Sequence, residues 1–314
     1  MVFRGYDSRY ILKENYDGDF LDRYFDGDAD GSLYRARSPL GVGGPSGDLS
    51  VLSEDVDDFR LAYEKRNDRE IDDLEAVVEL TRLLAQRGMV DEEVFADQME
   101  EVIDARQWAR FFAVMATMTN RDGGIWNDSG EDYFLYRLPD DSGRASAGKW
   151  WLMAWDVEET FANSEERLFR PELTATRAFL THPRFAAMYY EELDWIRRDV
   201  FARREMLRRF GIAYALHEPS DVFEIVDEVD AFVSRRLGYF DENVSSQLSG
   251  GAVSGAGGGE LTIAGGAEWR FFRGLRAPSG GIRDWATLEY DDADWETGPS
   301  GFGYGDDDDA TVLD

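Results

Sequence analysis

Up to about residue 66, apolar residues come in short alternating bursts. Ser8 to Glu14 (SRYILKE) and Ser32 to Ala36 alternate as strands do, and Phe59, Leu61 and Tyr63 alternate with polar neighbours as a half-buried strand would. Asp17 is placed to cap a short helix running through Phe25, and Pro39 to Gly47 reads as a Gly/Pro loop. From residue 67 the spacing lengthens to that of a helix. Asn67 with Glu70 offers a capping box, Ile71, Leu74, Val77, Val78, Thr81 and Leu84 trace one face, and Gly88 ends the run. Asp91 caps a second helix with Val94, Phe95, Val102 and Ile103 inward. Trp108 to Met118 (WARFFAVMATM) is apolar at nearly every position, which predicts a helix buried on most sides.

The pattern then changes twice more. Tyr133 to Leu138 and Trp150 to Trp155 are aromatic-rich runs of strand length, parted by the turn residues Pro139-Asp140-Asp141-Ser142-Gly143. Helical spacing returns over 172–243, from Phe185 to Phe210 and from Val222 to Phe240. The pairs Arg197-Arg198, Arg203-Arg204 and Arg208-Arg209 read as a solvated face balancing local acids. Ser245 to Gly266 has the composition of a flexible Gly/Ser linker. Beyond it, Trp269, Phe271, Trp285, Tyr290 and Trp295 stand among Gly and Asp, as in a short-stranded β-module smaller than the roughly 100 residues of a full sandwich. The expected organisation is α+β. It has a partial β-rich lobe at 1–66, a mostly helical lobe carrying the hairpin at 67–244, a linker at 245–266, and the start of a β-sandwich-like module at 267–314.

Charge and composition narrow the chemistry. A net charge of −31 argues against a broad nucleic-acid footprint and fits a basic or Ser/Thr-rich protein partner. Only Lys13, Lys65 and Lys149 are lysines among 34 basic residues. There is no cysteine, which excludes disulfides, thiolate metal sites and Cys nucleophiles. His182 and His217 lie on different predicted segments, so neither a Ser-His-Asp triad nor an H-E-x-x-H site has support. No apolar run approaches the length of a membrane span. Oligomeric state is open.

One stretch carries a candidate chemistry. Arg121-Asp122 follows the apolar helix, Asn127 comes five positions after Asp122, the hairpin follows, and Asp156 closes its second strand. Loop acid, amide, hairpin and second acid is the order in which protein kinases present their catalytic loop and metal-binding acid. Asp122 could orient an attacking hydroxyl and accept its proton, while Asn127 and Asp156 could hold a hard cation against phosphate oxygens. The bland alternative makes Asp122 and Asn127 turn residues and Asp156 a surface acid. A second acidic stretch, Asp26 to Gly31, opens like a calcium loop, but its twelfth position is Arg37 instead of Glu, so it reads as a turn before a strand.

Residues 9–35, including YILKENYDGDFLDRYFDGDADGSLYR, together with NRDGGIWN, YFLYR and KWWLMAWDVEETF, resemble the spore-coat protein H (CotH) kinase-like family over about residues 1–243. The resemblance implies a protein-kinase-like fold and transfer of phosphate from ATP, with Mg²⁺ or Mn²⁺, to Ser/Thr of a protein substrate. It also implies an extracellular or cell-surface setting. By that resemblance Asp122 is the catalytic-loop acid and Asp156 a metal ligand, with Glu158 in place of the second acid of W-D-x-D. Where the family has His-Asn before the Tyr-rich strand, this chain has Glu131-Asp132, so the second metal ligand is Asn127 by spacing or Asp132 by adjacency. The family's phosphate-holding lysine would lie before Met1, neither Lys13 nor Lys65 obviously replaces it, and the chain looks truncated at both ends. The end of the chain resembles the start of a galactose-binding-like β-sandwich. Two other readings stand beside this one: a non-catalytic coat or matrix scaffold that keeps the fold, and transfer of another nucleotide-derived group.

Overall fold

The computed structural model describes residues 14–314 except 26, 40–44, 72, 121–123, 127–129, 158, 162, 215–218, 250–267, 274–289, 300–301, 304–310 and 313–314; side chains at 210–225, 245–249, 302–303 and 312 are also left undescribed. Two compact units divide the chain, Met1–Gly257 and Gly258–Asp314.

The larger unit is built on a four-stranded antiparallel sheet ordered β2-β1-β3-β4, from β1 (Ser32–Ala36), β2 (Tyr63–Lys65), β3 (Tyr133–Arg137) and β4 (Trp150–Ala154). Its strands thus come from both sides of a long helical stretch. The hairpin pairs Tyr133 with Ala154 and Arg137 with Trp150. Side chains alternate between the two faces of a strand, and here both faces are covered. On one, Leu33, Phe134 and Tyr136 meet Leu21 and Phe25 of the short helix α1 (Gly18–Tyr24) and its end. On the other, Tyr34, Tyr133, Leu135, Trp150 and Leu152 join the main core. The hairpin therefore reads as an almost unbroken aromatic and aliphatic run.

The main core lies against α2 (Val56–Ala62), α3 (Glu75–Ala85), α4 (Glu92–Val102), α5 (Ala105–Met118), α6 (Thr174–Leu180), α7 (Pro183–Trp195), α8 (Arg203–Tyr214) and α9 (Pro219–Ser249). A π-helical turn, Ile196–Val200, continues α7. The central element is α5, capped by Asp104, with Trp108, Phe112 and Ala113 wholly buried. It also solves a problem of the sheet. β4 lies at an edge, where unpaired backbone groups invite mispairing. Gln107 of α5 donates to the Leu152 carbonyl (2.6 Å) and accepts from the Leu152 N–H (3.0 Å), while the Trp108 indole donates to the Trp150 carbonyl (2.9 Å).

Several expected elements are observed. Asp17 and Asp91 cap α1 and α4 with their carboxylates, and β1 occupies Ser32–Ala36. Others differ. The stretch expected as a strand through Phe59, Leu61 and Tyr63 is helix α2 up to Ala62: Asp55 caps it, Phe59 and Ala62 are buried one turn apart, and Leu61 is exposed. Only then does β2 begin. Asn67 caps no helix; its side chain accepts from the Leu33 N–H and donates to the Gly31 carbonyl, fixing the start of β1. Consequently α3 starts at Glu75 and Ile71 is exposed, as is Val94 on α4. The helical run expected over Phe185–Phe210 is broken after Val200, and α9 continues through 245–249, the first positions of the expected linker. Among the paired arginines, Arg197 binds Asp194 and Asp241, Arg203 binds Asp230, and Arg208 and Arg209 bind Glu205.

In the smaller unit, β5 (Glu268–Phe271) pairs antiparallel with β6 (Glu296–Pro299), and β7 (Phe302–Gly303) pairs parallel with β8 (Thr311–Val312). The rings of Phe272 and Tyr290 lie 5.4 and 5.7 Å from that of Trp295.

Candidate active site

The end of α5 and the end of β4 lead into the two halves of the candidate site. Thr119 closes α5 in a left-handed conformation (φ 51°), and it and Asn120 are still buried. The loop that follows is pinned from inside: Ile125 is fully buried and Trp126 is 1% exposed, its ring 6.1 Å from Phe112 and 6.3 Å from Tyr189. Gly124 (φ +21°) sits so close to the Glu131 carbonyl that a Cβ would overlap it, and its own carbonyl accepts from the Gly130 N–H (3.3 Å). The loop therefore closes on itself immediately before β3.

Asp132 precedes β3 and Asp156 follows β4, so both stand at the Tyr133–Ala154 end of the hairpin. Both occupy left-handed backbone, φ 57° and φ 51°. That conformation costs a non-glycine residue about 1–2 kcal/mol, and Asp and Asn bear it best. Arg35 of β1 reaches the same corner: its guanidinium lies 5.6 Å from the Trp155 ring centroid and 3.9 Å from the Asp132 carboxylate, and its buried Nε has no hydrogen-bond partner among the described residues. Asp156 lines a cleft of about 490 Å³ with Trp155, Tyr16, Phe20, Tyr24 and Glu14. Tyr16 stacks on Phe20 (4.2 Å) and meets Trp155 and Phe134 (both 5.1 Å), giving the cleft an aromatic wall. Partial burial and the neighbouring Glu14 push the Tyr16 phenol up, so it stays neutral.

Of the residues expected from sequence, Asp132 and Asp156 are brought to one corner, whereas Asp122, Asn127 and Glu158 lie outside the described residues, as does Lys13. Lys65 opens onto a different cleft, with Tyr34, Tyr63 and Leu74; its amine binds Asp73 (2.6 Å) and sits over the Tyr34 ring. Asp28, in the acidic turn before β1, is buried and bound by the Arg144 guanidinium, and Ser142 and Arg144 hold its carboxyl below the usual range. Sequence reasoning missed Arg35 and the Tyr16–Phe20 wall. Both lie inside the stretch that carried the family resemblance, but alternation alone could not show that they meet Trp155.

A divalent cation fits the donor chemistry of the Asp132–Asp156 corner, since Mg²⁺ takes one or two carboxylates and completes its shell with water and phosphate oxygens. Among the described residues no group of three or more His, Cys, Asp or Glu converges on one point. Nor is any described helix long and apolar enough to cross a membrane.

Comparison with known families matches residues 9–218 to the family described as CotH kinase protein. No curated protein matches the chain.

Proposed function

The chain belongs to the CotH kinase family, and from that premise we propose that it is a phosphotransferase moving the γ-phosphoryl group of ATP to a Ser or Thr hydroxyl of a protein. One observation supports the reading most: Asp132, with Arg35 beside it, and Asp156 stand at the same end of the hairpin, where Asp156 lines an aromatic-walled cleft. Phosphoryl transfer asks mainly for positioning and charge neutralisation, and this corner offers cation-binding carboxylates, a guanidinium and flat rings against which a planar base can lie.

In the proposed mechanism Asp122 accepts the proton of the acceptor hydroxyl as its oxygen bonds to the γ-phosphorus. The bond from that phosphorus to the β–γ bridging oxygen breaks and ADP leaves. Asp156, with Asp132 or Asn127 and with Glu158, would hold Mg²⁺ or Mn²⁺, which when bound neutralises phosphate charge. Among the described residues, the carboxylate paired with Arg35 is that of Asp132 at 3.9 Å, beyond hydrogen-bonding distance, so this guanidinium can bind a phosphate oxygen. The proposed acceptor is a basic or Ser/Thr-rich protein, matching the −31 charge of the chain. The proposed setting is extracellular or at a cell surface. The division into 1–66, 67–244, 245–266 and 267–314 is kept as a proposal for functional parts.

The test is incorporation of labelled phosphate from ATP with Mg²⁺ or Mn²⁺ into a basic acceptor protein. Incorporation by the wild type, lost in D122N and D156A while circular dichroism stays unchanged, supports the reading. Absence of incorporation by the wild type leaves the non-catalytic scaffold as the better account, and full retention in D156A overturns the site.

A further inference from the structure

Arg236, on α9, is 0% exposed, and among the described arginines it alone is buried. A buried guanidinium is costly unless its donors are met. Here the two terminal nitrogens donate to backbone carbonyls from two distant stretches, while the buried Nε has no partner among the described residues. One nitrogen donates to Ala116 (2.6 Å) in the last turn of α5; the other donates to Ser164 (2.9 Å) and Glu166 (2.5 Å) in the segment after β4. The rings of Tyr239 and Phe240 lie 5.2 and 5.4 Å from the guanidinium carbon. Burial lowers the pKa of the group to about 10, so it is still charged at neutral pH, and that charge sits against the negative end of the α5 dipole.

A second contact on the same helix points the same way. One turn earlier on α9, Phe232 packs edge-on against Phe161 (5.1 Å), and the Phe161 N–H donates to the Met118 carbonyl (2.8 Å). The stretch after Asp156 is thus tied to the end of α5 directly, and both are gripped by α9. This part of α9 lies beyond the 9–218 span of the family match.

We infer that Arg236 is a positioning residue of the candidate site. It pins the end of α5, which leads in sequence to Arg121-Asp122, to the segment that follows Asp156, and so ties together the two stretches that carry the acids. Its functional consequence rests on the phosphotransferase reading; its structural consequence does not.

The experiment compares full-length wild type, R236M, R236K and, as control, R203M, which removes a surface arginine that binds Asp230 between α8 and α9. Native-state hydrogen exchange should accelerate about tenfold in R236M over residues 116–123 and 157–166 and stay unchanged in α3 and α4. In the same protein kcat should fall about 100-fold with KM for ATP nearly constant, as expected when reacting groups are misplaced and binding is retained. R236K, which keeps the charge but serves fewer acceptors, should fall between, and R203M should match wild type. Unchanged exchange in both segments, or acceleration spread evenly through the chain, overturns the inference, as does an unchanged kcat. If the wild type transfers no phosphate, that reading fails by itself. Positioning is then judged by hydrogen exchange alone: acceleration confined to 116–123 and 157–166 in R236M upholds it, and unchanged or evenly spread exchange overturns it.

Discussion

Replacing Trp126 with alanine separates a loop that is held from one that is merely folded nearby. The side chain is 1% exposed and packed between Phe112 and Tyr189. At about 25 cal/mol per Å² over the roughly 200 Å² that a large aromatic buries, its transfer from water contributes up to ~5 kcal/mol. Truncations of this kind cost about 3–5 kcal/mol once partial relaxation of the cavity is included. That is a large share of the 5–15 kcal/mol that holds a typical domain together. For a unit of this size the melting temperature should drop by roughly 6–20 °C. Urea unfolding followed by far-UV circular dichroism measures the loss, with W126F as companion, expected to lose about 1–2 kcal/mol because most of the ring packing survives. Under conditions where W126A is still folded, phosphate transfer should fall further than stability alone explains, since Ile125-Trp126 is the buried plug between 121–123 and 127–129. A W126A protein within 1 kcal/mol of wild type would refute the argument that this ring anchors the loop.

Other predictions follow from single contacts. His182 is buried, its Nε2 bonds the Glu92 carbonyl and its Nδ1 accepts from the Arg184 N–H, and burial, with Arg87 and Arg184 nearby, lowers its pKa despite Glu92. A lowered histidine pKa gives stability that is present above the unfolded value near 6.5 and lost as pH falls through it, by up to about 1.4 kcal/mol per pH unit. Urea unfolding from pH 7.5 to 5 should therefore be steeper for wild type than for H182N, and equal slopes would count against it. At Asp156 (φ 51°), D156N should lose transfer with stability kept, whereas D156A should lose transfer and about 1–2 kcal/mol, because asparagine tolerates left-handed backbone and alanine does not. Equal stabilities, or transfer by D156N, would contradict this. Calcium chelation should leave the melting temperature unchanged, because the Asp28 carboxylate is already bound by Arg144; a clear drop would disprove it.

Where the sequence could be read, one element carried its own explanation. An apolar face as continuous as that of α5, or an aromatic run as dense as the hairpin, fits only a buried position. Where it misled, a distant partner decided. Phe59, Leu61 and Tyr63 alternate, yet the cap at Asp55 and the burial of Phe59 with Ala62 make helix of all but the last. Asn67 looks like a cap but is drawn to β1 by Leu33 and Gly31. In the candidate site, the order of acids along the chain pointed to Asp122 and Asp156, and only the family resemblance pointed to Asp132. Nothing in that order indicated Arg35, whose place beside Trp155 depends on β1 pairing with β3 and β3 with β4.

By itself the sequence determined the α+β class, the buried helix with its following hairpin, several helix caps and the family, because periodicity, capping chemistry and motif order are properties of neighbouring residues. Only the tertiary structure decided which side chains share a corner and what fastens them. Arg236 meets a carbonyl 120 positions away, and Gln107 completes the open edge of a strand 45 positions on. Such partners are chosen by packing, since a buried donor takes whichever acceptor the fold brings within reach, and the linear order of residues does not record that choice.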